Sequence, residues 1–167
     1  MKARIMAGAL VLALAGLSGS AAAADPYLGL GMTRLSDAED TAWRLHGGLR
    51  FNQHFAVEAA YHSYDSDGSA MSVFGIEGDI YSVAVRYDFI DGPFTPYAKL
   101  GAARASFDAT HFGTPNNVHI SESETGAMAE IGARYAFNDS IALRGGYEWF
   151  DTFDGDGGLN LAVEFSF

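Results

Sequence analysis

The chain has 167 residues, no cysteine and a formal net charge of −11, with 21 acidic residues against 10 basic. That balance excludes a basic nucleic-acid-binding surface, and the missing cysteines exclude a disulfide framework while permitting an oxidising compartment. A hydrophobic content of 49% with 19% charged residues excludes a disordered chain.

The N-terminus reads MKARIMAGALVLALAGLSGSAAAADP. Lys2 and Arg4 precede an apolar run from Ile5 to Leu17, and small residues lead to Asp25. This is the order of a secretory signal peptide. The apolar run is shorter than the roughly 20 residues a spanning helix needs, which weighs against a membrane anchor. Cleavage is expected after Ala24, giving a signal peptide over residues 1–24 and one domain over residues 25–167. The signal peptide holds two of the ten basic residues, so the remaining 143 residues carry 8 basic and 21 acidic side chains, a net of −13.

After Ala24 the chain alternates. Eight runs with period two are predicted as strands, at about 26–35, 41–51, 54–64, 78–89, 94–107, 123–137, 140–150 and 157–167. Short connections (Asn52–Gln53, Ile90–Pro93, Asn138–Asp139) alternate with longer polar ones (Ser36–Asp40, Asp65–Glu77, Asp108–Glu122, Asp151–Asp156). Short turns at one end and long loops at the other are the layout of a transmembrane barrel. A sheet can cross lipid only if it closes, because every backbone N–H and C=O must find a partner. The expected fold is all-β: an eight-stranded antiparallel up-and-down transmembrane β-barrel with short periplasmic turns and four longer extracellular loops.

Parity sorts the faces. Trp43, Leu45, Leu49 and Phe51 oppose Arg44, His46 and Arg50. Phe55, Val57, Ala59 and Tyr61 oppose Glu58 and His62; Tyr81, Val83, Val85, Tyr87 and Phe89 oppose Arg86 and Asp88. Ala129, Ile131, Ala133, Tyr135 and Phe137 oppose Glu130 and Arg134; Ile141, Leu143, Tyr147 and Trp149 oppose Arg144 and Glu148. Aromatic residues gather at the strand ends, as interfacial girdles do. Phe51, Phe55, Tyr87, Phe89, Phe94, Tyr135, Phe137, Phe165 and Phe167 are assigned to the turn end, and Trp43, Tyr61, Tyr81, Tyr147 and Trp149 to the loop end. The alternative is a soluble lipocalin-type barrel, with the aromatics inside and the arginines out.

The inward set is Arg44, Arg50, Arg86, Lys99, Arg134 and Arg144 against Glu58, Asp88, Glu130, Glu148 and Glu164. Six bases and five acids are near balance, as a buried charged interior requires, since an unpaired buried charge is costly. Register arguments place Arg50 diagonal to Glu58, Lys99 level with Glu130 and Arg144 level with Glu164. The same charges read either as a structural plug, which is preferred, or as a gated narrow pore or proton path. Glycines within the runs (Gly29, Gly31, Gly47, Gly48, Gly101, Gly126, Gly132, Gly145, Gly146) make room for the long inward side chains.

The segments YLGLG, VAVRYDF, TPYAKLGAAR, GARYAF and IALRGGYEW resemble the eight-stranded transmembrane domain of the OmpA-like and opacity-protein outer-membrane families, over nearly all of the chain after residue 24. The resemblance implies the outer membrane of a Gram-negative bacterium. It does not extend to a periplasmic peptidoglycan-binding domain, so no cell-wall tethering is implied. The ending NLAVEFSF resembles the C-terminal signal recognised by the barrel assembly machinery, carried by Phe165 and Phe167. Ala162 stands where that pattern favours Gly.

Thirteen of the other acids fall toward the loop side, where only Arg34 and Arg104 are basic. Such a rim is expected to meet outer-membrane lipid and lipopolysaccharide through bridging divalent cations. DTFDGDGG at 151–158 has the oxygen-rich spacing that suits calcium but lacks a distal Glu, and reads as solvated turns. His111 and His119 share a loop but lack further ligands. Lipid-modifying barrels use a His and a Ser two apart on one face. Here His62 and Ser63 are adjacent, so they face opposite sides and no catalytic residue is assigned. A monomer without cofactor, metal or nucleic-acid partner is expected, presenting its loops at the cell surface. The mass of protein recovered from the envelope should place the first residue at Asp25; retention of residues 1–24 would refute the cleavage reading.

Overall fold

The structure is a computed structural model that describes residues 24–35, 41–65, 74–111, 118–152 and 157–167. Residues 1–23 of the expected signal peptide, the whole 36–40 connection and the centres of the other three long connections lie outside the described residues. Eight strands follow in chain order: β1 (Asp25–Leu35), β2 (Thr41–Arg50), β3 (Phe55–Asp65), β4 (Phe74–Asp88), β5 (Phe94–His111), β6 (Val118–Ala136), β7 (Ile141–Phe150) and β8 (Gly157–Ser166). Each pairs antiparallel with its sequence neighbours, and β1 pairs with β8 from Tyr27↔Ser166 to Leu35↔Gly158, closing the barrel.

The turns explain the register. Between β2 and β3, the Asn52 side-chain oxygen accepts from the backbone N–H of His54 and Phe55 at 2.8 and 2.9 Å. Between β6 and β7, Asn138 accepts in the same way from Ser140 and Ile141 at 2.9 and 2.8 Å. Both turns satisfy otherwise free donors with one short amide side chain. The β4–β5 turn instead uses Gly92 at φ 147°, a conformation that a side chain would strain.

Outward positions form the apolar surface. Leu30, Val57, Val83, Val85, Leu100, Ile131, Leu159 and Leu161 are exposed, whereas Arg44, Arg86, Arg144, Lys99, Glu58, Glu130, Glu148 and Glu164 are buried. This inverts a water-soluble barrel and rules out the lipocalin-type alternative, because so large a contiguous apolar surface belongs against hydrocarbon. The assigned aromatics point outward. Phe51, Phe55, Tyr87, Phe89, Phe94, Tyr135, Phe137, Phe165 and Phe167 are exposed near the turn end. Trp43 and Trp149 are exposed near the loop end, with Tyr61, Tyr81 and Tyr147 half-buried.

Three strands are longer than their sequence suggests. β4, β5 and β6 span 15, 18 and 19 residues, and their pairing runs on to Phe74↔His111 and His111↔Val118. The described parts of Asp65–Glu77 and Asp108–Glu122, expected as loop, are therefore strand. β-Favouring Ile76, Thr110, Val118 and Ile120 sustain the ladder there. Polar residues do not end a strand once it stands clear of lipid, which is why polarity alone misplaced the boundary.

Two inward tyrosines need glycine opposite them. Tyr27 faces Gly48 across β1–β2, and Tyr97 faces Gly132 across β5–β6. A Cβ at Gly48 would meet the Tyr27 ring; one at Gly132 would meet both the Tyr97 ring and the Gly145 carbonyl. Gly132→Ala should therefore destabilise the refolded barrel by about 1–3 kcal/mol, read as a lower urea midpoint in lipid vesicles. An unchanged midpoint would show that Tyr97 can move aside freely.

Candidate functional site

Closure leaves an interior only wide enough for side chains, so the long charged residues of different strands meet on the axis. Glu58 of β3 and Glu130 of β6 form the centre. Arg144 of β7 grips Glu58 with two guanidinium nitrogens, at 2.5 and 3.0 Å, and reaches Glu130 at 3.2 Å. Lys99 of β5 lies 2.8 Å from Glu58 and also pairs with Glu130. Arg44 of β2 bonds Glu130 at 2.9 Å and Glu58 at 3.4 Å. Three cations thus share two carboxylates. The Tyr27 and Tyr97 hydroxyls complete the shell, donating to Glu58 at 3.0 Å and to Glu130 at 2.5 Å.

Two smaller groups flank this centre. Toward the loops, Glu148 is held by Arg44 at 3.1 Å, by the Thr33 hydroxyl at 2.8 Å and by the His62 ring at 3.2 Å. Toward the turns, Glu164 takes Arg134 at 2.7 Å, Arg86 at 3.2 Å and Arg50 at 3.5 Å. Arg86 also grips Asp88 with two nitrogens, at 2.7 and 3.2 Å. The Arg86 and Arg144 guanidiniums each lie over the Tyr97 ring, 4.7 Å from its centroid.

All ten residues assigned to the charge network, with Asp88, therefore lie in the interior, and Lys99 stands directly opposite Glu130. Two expected pairings differ. Arg50 is diagonal to Glu58 in register, as its partner is Ala56, yet it turns away to Glu164 and Asp88. Glu58 is already saturated by Arg144 and Lys99, while Arg50 sits at the turn mouth within reach of Glu164 and Asp88. Arg144 stands opposite Ala162 rather than Glu164, a two-residue shift. Glu164 remains 3.7 Å away, and the main partner of Arg144 is Glu58.

The tyrosines, Thr33 and the histidines were not assigned to the network. Inward parity with a glycine opposite was the available signal for Tyr27 and Tyr97. His46 and His62 are both fully buried, and His46 has no hydrogen-bond partner among the described residues. Ser63, next to His62, points outward and stands opposite Asp79, so the two do not converge. His111 and His119 occupy successive register positions on β5 and β6, facing Val118 and Thr110; their side chains lie outside the described residues, as does the middle of DTFDGDGG.

The closed topology and the inward charges are joined by one further observation: the outer membrane protein beta-barrel domain matches residues 9–167. The chain belongs to that family. No curated protein matches it in sequence. Among solved structures, this family member is similar to the N-terminal β-barrel domain of Pseudomonas aeruginosa OprF, with TM-score 0.67 and 16% identity over 86% of this chain and 97% of that one. It is similar to Ail, the attachment invasion locus protein of Yersinia pestis, with TM-score 0.62 and 18% identity over 86% and 97%. It is also similar to neisserial surface protein A, with TM-score 0.59 and 20% identity over 86% and 96%. At these identities the likeness carries the fold.

Glu58→Gln would leave Arg144, Lys99 and Arg44 with one central carboxylate, and should lower unfolding stability by about 3–5 kcal/mol. Arg50→Ala removes a charge that is 19% exposed at the mouth, and should cost no more than about 1 kcal/mol. Urea titration of both variants in the same vesicles checks the contrast; equal losses would show that the centre is no drier than the mouth.

Proposed function

We propose that this outer-membrane barrel is a closed structural scaffold that acts through the acidic segments at its loop end. The observation that carries the reading is the sharing of Glu58 and Glu130 by Arg44, Lys99 and Arg144, all buried on the axis. Such a network fills the lumen with mutually satisfied charge and leaves the loops as the part of the protein free to recognise something. The host membrane is the outer membrane of a Gram-negative envelope, reached after removal of residues 1–24. Phe165 and Phe167 serve as the assembly-machinery signal, and the barrel works as a monomer.

The charge of the rim limits its partners. Ail has been solved with the heparin analogue sucrose octasulfate, a polyanion. In this chain, acids dominate the loop side and only Arg34 and Arg104 oppose them. Polyanions are therefore repelled, and contact with lipopolysaccharide phosphates runs through divalent cations. No catalytic role is proposed, since His62 and Ser63 diverge.

A narrow channel is the second reading. It is favoured by Lys99, which lies between two carboxylates and could exchange one for the other. Single-channel recording of the refolded barrel in a planar bilayer separates the two. The wild type should be silent. Reproducible conductance steps from the wild type would overturn the closed scaffold, and their loss or enlargement in Glu130→Ala would identify the central network as the gate.

A further inference from the structure

The two ends of the interior differ in chemistry. At the turn end the network opens into a cavity of about 270 Å³, lined by Arg50, Arg134, Asp25, Asp88, Asp91 and Thr95 among others. Toward the loop end, the inward rows of β2, β4, β5, β6 and β7 turn apolar or small, while Thr33, His62 and Asn160 continue those of β1, β3 and β8. On β7 the inward residue after Glu148 is Phe150, on β6 the one beyond Glu130 is Met128, and on β2 the one beyond Arg44 is Ala42. On β4, Arg86 is followed loopward by Ala84, Ser82 and Ile80; on β5, Lys99 gives way to Gly101, Ala103 and Ala105. Ile80, Ala84, Ala103, Ala105, Met128 and Phe150 form one buried apolar cluster. Phe150 is 1% exposed, and its ring meets the His62 ring edge-on at 5.6 Å, directly above the uppermost charged group.

We propose that this cluster is a hydrophobic seal that shuts the interior to water and ions from the loop side, so that the charged chamber communicates only with the turn side. The proposal deepens the closed-scaffold reading and rests on it. An interior closed by ion pairs alone would let water reach the charges from both ends. Packed Ile, Met and Phe side chains offer water no polar partner, and a dry apolar constriction of this width excludes ions. The seal also contributes to the burial of Glu148 and His62, which lie nearest the loops, because Phe150 packs against the His62 ring. The barrel is thus a one-ended vessel, polar below and dry above.

The absence of cysteine gives a clean test. Ser82 is buried and lies two residues turnward of Ile80 on the same inward row. Ser82→Cys places a thiol within the seal, beneath Ile80 and above Ala84. In vesicles holding the barrel in one orientation, a membrane-impermeant cationic methanethiosulfonate is added to the loop face alone. Ser82→Cys should react at least ten-fold faster when combined with Phe150→Ala or with Met128→Ala, and should be unchanged when combined with Glu130→Gln. Circular dichroism and the heat-dependent gel mobility of each variant establish that it is folded. The two truncations are independent, so failure of one to fold leaves the other. Equal rates with and without the truncations, or acceleration by Glu130→Gln alone, would overturn the seal. Wild-type conductance in the planar bilayer would overturn the closed scaffold itself, which a labelling failure with a silent bilayer would not.

Discussion

Within hydrocarbon no water is available to a free strand edge, and the cost of one unpaired row of N–H and C=O groups exceeds what packing can return. The pairing of β1 with β8 removes that edge, and the rest of the molecule follows from it. Closing only eight strands makes the interior narrow. A narrow interior forces side chains from opposite walls into contact, so Arg144 of β7 meets Glu58 of β3 although they are far apart around the sheet. Where a tyrosine also enters, the facing wall must lose its Cβ, hence Gly48 opposite Tyr27 and Gly132 opposite Tyr97.

Charge inside such a barrel is not a stability device in itself. Desolvating an ion costs several kcal/mol, and hydrophobic residues of similar volume would often serve as well. What the charges supply is mutual dependence. Glu58 binds residues from β1, β2, β5 and β7, and Glu130 binds residues from β2, β5 and β7. Each carboxylate therefore reaches beyond its own ladder neighbours: Glu58 of β3 is tied to β1, β5 and β7, and Glu130 of β6 is tied to β2. A slip of any one strand by one residue would carry its charge to the lipid face, where it would find no partner. The network thus fixes register across the barrel, while the ladder fixes it only between neighbours.

The strand count, the inward and outward faces and the charged residues were legible because a period of two sorts every residue once lipid and interior differ in polarity. Lys99 opposite Glu130 was legible too, since folding the long connection after Phe107 near its middle brings the two level. The partners of Arg50 and Arg144 were not. A two-residue shift across the β7–β8 loop moves Glu164 from Arg144 to Ala142 without changing any face, so parity is blind to it. Long guanidinium arms then choose among acids at several levels, which a pairwise register cannot rank. The length of β4, β5 and β6 was hidden for a different reason. Toward the long connections the apolar alternation fades, and the strand segment VHISE at 118–122 reads as loop.

The loop-end apolar cluster was equally hidden, because parity marks residues as inward without saying what depth they occupy. Met128 and Phe150 read as members of inward rows dominated by charge; only the three-dimensional stacking of rows from four strands shows that their apolar members coincide at one end. That coincidence matters because the two kinds of closure respond differently to disturbance. Ion pairs such as those of Lys99 can exchange one carboxylate for another with little change of volume. Phe150 and Met128 cannot yield without opening a void that neither water nor their neighbours fill favourably. An interior closed by charge alone would be closed only on average. On the proposed reading, a packed apolar layer in series lets the charges beneath rearrange without opening a path.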